Sequence, residues 1–335
     1  MSASTIAYQL RPLKAIERNL FISILKKLDR FSAIDLSKYA YVGFGAPFFE
    51  DFKLMHLEFG IVDMDCIEYD DFAYSRQIFN NPYYFVKLYN TSFTNYITSD
   101  NFRQDRNQII WLDFASPKEF RQQLIDIELT SQKCERLDIL KFTFNAHLKS
   151  FVHHINCKPF DYKNILKVLK NDPTYQLYLP ESITTKDISD DFSSVIRAMG
   201  IRAIKRGLSK ANKGITFNHI SSFDYADGQA MTTSTGIISN ATEFDEILKQ
   251  SGLRPWEFYQ PMPTSELIGG NEIAVPVMTV PERMKIDKLI PLTDTINLAE
   301  VIEFSFGDSK EEHSKLVEGY CRYYKYLPYY SKVTF

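Results

Sequence analysis

Cysteine is scarce. Only Cys66, Cys134, Cys157 and Cys321 occur among 335 residues, and no two stand as Cys-x-x-Cys. That scatter argues against a zinc knuckle or a redox pair and leads us to expect a reducing, cytoplasmic setting. An excess of charge of one sign is also missing: 39 Lys and Arg face 42 Asp and Glu, for a formal charge of −3. A wholly basic nucleic-acid wrapper is excluded, although a local basic patch is not. No window approaches the ~18 uncharged apolar residues of a membrane span. The first ten residues hold no apolar segment of signal-peptide length, so no membrane is expected as a partner. The chain shows no internal repeat and no low-complexity stretch. Wholesale disorder is excluded too, because 44% of residues are hydrophobic and 24% charged.

What is present alternates. Behind Pro12, residues Ile16, Leu20, Ile24, Leu25 and Leu28 recur at helical spacing, with Lys14, Arg18, Lys26 and Lys27 off the stripe. A short apolar run over 39–44 passes through Gly43-Phe44-Gly45-Ala46-Pro47 into a second helix over 48–59, with Pro47 placed to open it. Strands are expected over 61–70, 86–89, 109–113 and 137–144, and helices over 72–79 and 118–127. That alternation predicts a parallel sheet with covering helices. After about residue 150 the pattern changes, to helices over 160–169 and 192–203. Two β-rich runs follow, over 214–225 and 229–238, split by the hairpin signal Asp227-Gly228. Further helices are expected over 242–250 and 308–324, and an aromatic tail over 323–330.

Two glycines at i and i+2, after a strand and before a helix, permit a tight turn and a close backbone approach to a ligand. Gly43 and Gly45 meet that condition, although such a pair can equally be a plain strand-to-helix turn. Glu68 ends the next strand, 25 positions after Gly43, where a carboxylate accepts from the two hydroxyls of a bound ribose. Its alternative is a solvated acidic strand end, since Asp63, Asp65, Asp70 and Asp71 crowd the same stretch. Asn90-Thr91-Ser92 ends the third strand with small polar groups suited to an adenine edge, and Asp113 ends the fourth. Open α/β sheets bind ligands at these carboxyl ends. Asp113 is a candidate base or substrate anchor, or equally a cap for the turn over 115–119.

In this order the features resemble a class I S-adenosylmethionine-dependent methyltransferase, over roughly residues 35–240. The resemblance implies a Rossmann-like α/β sheet with a late antiparallel hairpin and an insertion at about 151–212. An N-terminal helical segment over 1–34 precedes it, and a mostly helical C-terminal extension over 241–335 follows. S-adenosylmethionine is the implied cofactor. Gly43, Phe44 and Gly45 look like the first motif, Glu68 and Tyr69 the second, Thr91 and Ser92 the adenine side, and Asp113 the fourth motif. The stretches Tyr8-Gln9-Leu10-Arg11-Pro12 and Ile110-Trp111-Leu112-Asp113-Phe114 are similar to a group of bacterial O-methyltransferases, which implies transfer to oxygen.

Two places depart from the family pattern. Tyr41 stands where an acid usually precedes the first glycine, and Pro47 where a third glycine comes. No Asn/Asp-Pro-Pro-Tyr/Phe follows the fourth strand, which disfavours methylation of exocyclic base amines. The altered loop keeps a second reading open: a decayed methyltransferase fold acting as a nucleotide-sensing or scaffold subunit. The acceptor stays open among small molecules, proteins and nucleic acids.

Three further features carry weaker signals. His147, His153, His154 and Cys157 cluster in sequence, as a remote metal site or as ordinary histidines. Arg202, Lys205, Arg206, Lys210 and Lys213 fall along one helix side, as a phosphate contact or a solvated face. Asp224 and Asp227 are read as serving the hairpin turn. Trp256, Phe258, Tyr259 and the tail tyrosines make the residues after 240 a candidate platform for a protein partner or substrate, or a plain cover for the sheet.

Overall fold

Runs such as Ile109-Ile110-Trp111-Leu112 are apolar on both strand faces, and so can only be satisfied between two layers of helices. The computed structural model describes residues 11–328 except 103, 156, 158, 159, 265 and 291–301. Tyr8, Gln9, Leu10, Tyr329 and Tyr330, singled out above, lie outside the described residues. Eight strands form one sheet: β1 (Ala40–Gly43), β2 (Met64–Glu68), β3 (Val86–Asn90), β4 (Gln108–Asp113), β5 (Ile139–Asn145), β6 (Thr216–Ala226), β7 (Ala230–Ser239) and β8 (Asn271–Glu272). Their order is β3-β2-β1-β4-β5-β7-β6-β8. The first five are parallel, and β7 runs antiparallel to both β5 and β6. This is the mixed α/β sheet with a late antiparallel hairpin expected from the sequence.

On one face lie α1 (Pro12–Leu28), α2 (Glu50–Phe59) and α3 (Asp71–Asn80). They cover Tyr41, Cys66, Trp111 and Ile139, and Phe21 of α1 meets Trp111 edge-on at 5.2 Å. The other face carries α4 (Phe93–Thr98), α5 (Phe120–Lys133), α6 (Leu148–His154), α7 (Tyr162–Asn171), α8 (Tyr175–Tyr178), α9 (Thr185–Asp190) and α10 (Phe192–Ala211). α10 runs eight residues past its expected end. Gly207 does not break it, because the missing side chain lets the backbone of α5 approach: a Cβ there would run into the Glu128 carbonyl and Ser131.

The second helix also departs from expectation. It begins at Glu50, not beside Pro47, because Ala46 (φ 43°) and Phe49 (φ 53°) are both left-handed and continue the glycine turn. The Phe49 amide donates to the Gly45 carbonyl at 2.9 Å, and its fully buried ring anchors the turn. After α11 (Ala241–Ser251), the chain adds β8 to the edge of β6, then α12 (Val280–Asp287) and α13 (Lys310–Tyr323). Phe258 stacks on Tyr323 at 5.3 Å, and the Tyr323 hydroxyl donates to the Glu272 carbonyl. Short elements such as α4, α6 and β8 leave too little periodicity to be read in advance.

His219 of β6 is buried. A carbonyl can only accept, so Nδ1 donates to Gln260 O (2.7 Å), and Nε2 accepts from the Ser222 hydroxyl (2.8 Å). Burial, aided by the Arg197 charge and opposed by the Gln260 carbonyl, pulls its pKa down to about 4. The folded chain therefore holds a neutral ring that the unfolded chain protonates below about pH 6.5. The wild type should lose about 3 kcal/mol relative to His219→Gln between neutral pH and pH ~4. Urea unfolding of both proteins across that range checks it, and parallel profiles would contradict it.

Candidate active site at the carboxyl edge of the sheet

β1 lies between β2 and β4, with Gly43 in register with Cys66 on one side and Trp111 on the other. The chain winds away from β1 in both directions, so the loop after it opens at the topological switch point, where such sheets bind ligands. The Gly45 amide donates to Cys66 Sγ at 3.3 Å. A Cβ at Gly45 would lie 2.7 Å from that sulfur and 2.8 Å from the Phe49 ring, and one at Gly43 would lie 2.9 Å from the Tyr41 hydroxyl. Packing within the chain itself thus requires both glycines. Burial, with Asp51 and Asp113 nearby, raises the Tyr41 hydroxyl far above its usual range, so the residue replacing the family's acid is neutral.

The other strand ends converge around this loop. The Phe44 ring lies 5.7 Å from Phe93, after β3, and 5.6 Å from Phe114, after β4. Glu68 pairs in register with Asn90, and its Oε1 accepts from the Asp70 amide at 3.0 Å. Burial raises the Glu68 carboxyl, against the lowering effect of the Asp70 and Tyr69 amides. The Thr91 amide donates to the Glu68 carbonyl, and Ser92 Oγ caps α4 by accepting from the Asn95 amide. Tyr69 donates to Glu119 at 3.3 Å, linking the end of β2 to the segment after β4 across the intervening β1 loop.

Asp113 does not cap the following turn, whose first residue makes no side-chain cap. Its Oδ2 instead meets Lys14 Nζ of α1 at 2.6 Å, both side chains being buried. Its Oδ1 is buried and has no hydrogen-bond partner among the described residues. Burial opposes ionisation, but the Lys14 ammonium, with Arg18 and Lys141 beyond it, outweighs burial and holds the carboxyl below its usual range. Asp113 is therefore ionised at neutral pH and a weak base. Behind it Arg18 pairs with Asp51 and Lys141 with Glu17, and the Thr233 hydroxyl donates to Glu17. Three cations thus face three carboxylates, all with buried side chains, under α1. Asp227 accepts from the Leu13 and Lys14 amides, so it caps α1 and does not serve its own turn.

The sequence pattern put Lys14 and Arg18 off the apolar stripe of α1 and did not single out Glu17, Lys141 or Arg197. A signal was available: Lys141 interrupts the apolar run Ile139-Leu140-Lys141-Phe142, and a lone charge in a central strand needs a partner.

A protein-family profile described as "Putative O-methyltransferase" matches residues 6–335. The chain belongs to that family. A search of curated proteins finds no match. Among solved structures, the chain is similar to Trm1 from Pyrococcus horikoshii, in a complex with S-adenosyl-L-methionine. The identity is 12%, with 95% of this chain and 78% of that chain covered and a TM-score of 0.43. It is also similar to the N-methyltransferase NodS from Bradyrhizobium japonicum WM9, at 9% identity, with 67% and 97% covered and a TM-score of 0.36.

In this member of that family the remaining sequence candidates find local partners. Arg202 and Lys205 face Glu266, Arg206 and Lys210 share Glu128, and Lys213 meets Glu135. The basic stripe is thereby ion-paired along its length. His147 caps α6, and among the described residues no group of three His, Cys, Asp or Glu is placed to hold a metal. Asp224 pairs with the buried Arg197. No helix among the described residues is long and apolar enough to cross a membrane.

Proposed function

We propose that the chain transfers a methyl group from S-adenosylmethionine to an oxygen acceptor at the carboxyl edge of β1–β5. The observation that carries this is the meeting, in a member of this family, of the Gly43–Gly45 turn, Glu68 and the Phe44–Phe93–Phe114 rings at the switch point of the sheet. The donor set fits the cofactor. Glu68 supplies a carboxylate for ribose hydroxyls, the rings an apolar wall for a flat base, and the unpartnered Asp113 Oδ1 an acceptor for a cationic amine. Once bound, the sulfonium supplies an already activated methyl group. The chain's own residues then align the acceptor with it. Asp113, held ionised by Lys14, anchors and does not abstract a proton.

Glu68→Ala should weaken S-adenosylmethionine binding by ~1.5–3 kcal/mol, roughly 10- to 150-fold, with no loss of melting temperature. Calorimetry reads this directly, and unchanged affinity removes Glu68 from the site. A decayed, cofactor-sensing protein is the second reading, favoured by the neutral Tyr41 and by a glycine turn filled with the chain's own Cys66 and Phe49. Calorimetry with S-adenosylmethionine and S-adenosylhomocysteine, beside methyl-transfer profiling with labelled cofactor, separates the two: binding without any labelled product favours the sensor.

A further inference from the structure

Helix α3 turns its apolar side to solvent. Its one buried residue, Gln77, points at the sheet and meets Cys66 Sγ. Phe72 and Phe79, nearly two full turns apart, share the stripe on the opposite side and are 86% and 90% exposed. Ile78 is also exposed, and Tyr84, in the loop leading to β3, is 99% exposed. Seven of the thirteen exposed large hydrophobic side chains among the described residues fall within 57–84. Scattered apolar side chains on a surface need no explanation, but a concentrated patch of rings marks an interaction site.

We propose that this face of α3 is the interface between two copies of the chain, packed as an antiparallel helix pair about a two-fold axis. Size is the first support. A buried aromatic side chain covers ~150–250 Å², so the rings of Phe72, Phe79 and Tyr84 offer roughly 450–750 Å², while Ile78 lies about a third of a turn round the helix and is not counted. That is close to the ~800 Å² per partner of a stable interface. Self-complementarity is the second, since a two-fold interface must match itself. With the axis between Ser75 and Arg76, Phe72 of each copy meets Phe79 of the other, so the one ring contact forms twice. Arg76, at the centre, is long enough to carry its charge out to the rim. The test is independent of the catalytic reading, because neither substituted residue is among those assigned to the cofactor and the readout is the oligomeric state, not binding or turnover.

Sedimentation velocity on the full chain tests it. The wild type should be a dimer at tens of micromolar. Phe72→Lys alone and Phe79→Glu alone should each raise the dissociation constant at least ~30-fold, as for an interface hot spot. Combined, they should restore dimerisation, because an ammonium of one copy then faces a carboxylate of the other at both contacts. Melting temperatures measured at dilutions where every protein is monomeric should agree, since these side chains are exposed in the single chain. A monomeric wild type would mean that the face belongs to another partner or to none. Single variants that stay dimeric, or a double variant that stays dissociated, would overturn the antiparallel pairing.

Discussion

Replacing Glu17 with alanine should destabilise the fold by about 3–5 kcal/mol, because it strands a buried ammonium. Glu17 and Lys141 are both essentially inaccessible, and Lys141 Nζ sits 4.7 Å from the centre of the Phe21 ring and 4.6 Å from that of Trp111. Burial already pulls the Lys141 ammonium below its usual range, while Glu17, Asp113 and Asp51 push it back up. Without Glu17, the lysine must either lose its proton or draw on Asp113, which Lys14 already holds. The pair is not a net gain over an apolar core, so Glu17→Leu combined with Lys141→Met should recover most of the loss. Urea unfolding of the single and double variants reads both effects. A single variant costing under about 1 kcal/mol would show that water reaches the pair.

Arg197→Met should cost a similar 3–5 kcal/mol, concentrated on one strap of chain. The guanidinium is fully buried. Nε and Nη2 donate to Thr232 Oγ1 at 2.9 and 2.7 Å, Nη1 donates to the Ile268 carbonyl, and Nη2 pairs with Asp224. The Ser194 hydroxyl gives its one hydrogen to Asp191 Oδ2, so it does not stand in for the guanidinium at the Ile268 carbonyl. The methionine would fill the space but leave a carbonyl and a carboxylate short of donors. Lysine should rescue little, because one ammonium cannot reproduce the planar fork. Asp224→Asn should cost less, since that side chain is part-exposed and keeps an acceptor for the guanidinium. Denaturant unfolding gives the magnitude. Hydrogen exchange should show residues 268–273, which carry β8, opening first. Uniform loosening would contradict a local role.

Much of the architecture was legible because its signals are local. Each of β1, β4 and β5 is a short apolar run ended by glycine, an acid or an amide, and Asp227-Gly228 splits β6 from β7. The candidate site was legible as positions, since a residue that ends a parallel strand stands at the carboxyl edge whatever surrounds it. Glu68, Thr91, Ser92 and Asp113 were placed that way. Their partners were not legible. Lys14 lies 99 residues from Asp113, and Glu17 lies 124 from Lys141. Nor was the left-handed backbone of Ala46 and Phe49, which the buried Phe49 ring imposes against local preference.

By itself the sequence determined the alternation of strand and helix, the parallel sheet with its late hairpin, and which residues end the strands at the candidate site. Spacing along the chain sets those, through periods of two and 3.6 residues. Only the tertiary structure decided that α1 delivers Lys14 to Asp113, that Asp227 caps α1, that the basic side of α10 is neutralised, and that Gly45 is filled by the chain's own Cys66 and Phe49. Those outcomes depend on which charges and rings meet once the layers close. A dry interior penalises each unpaired group heavily enough that packing, not periodicity, chooses the partner.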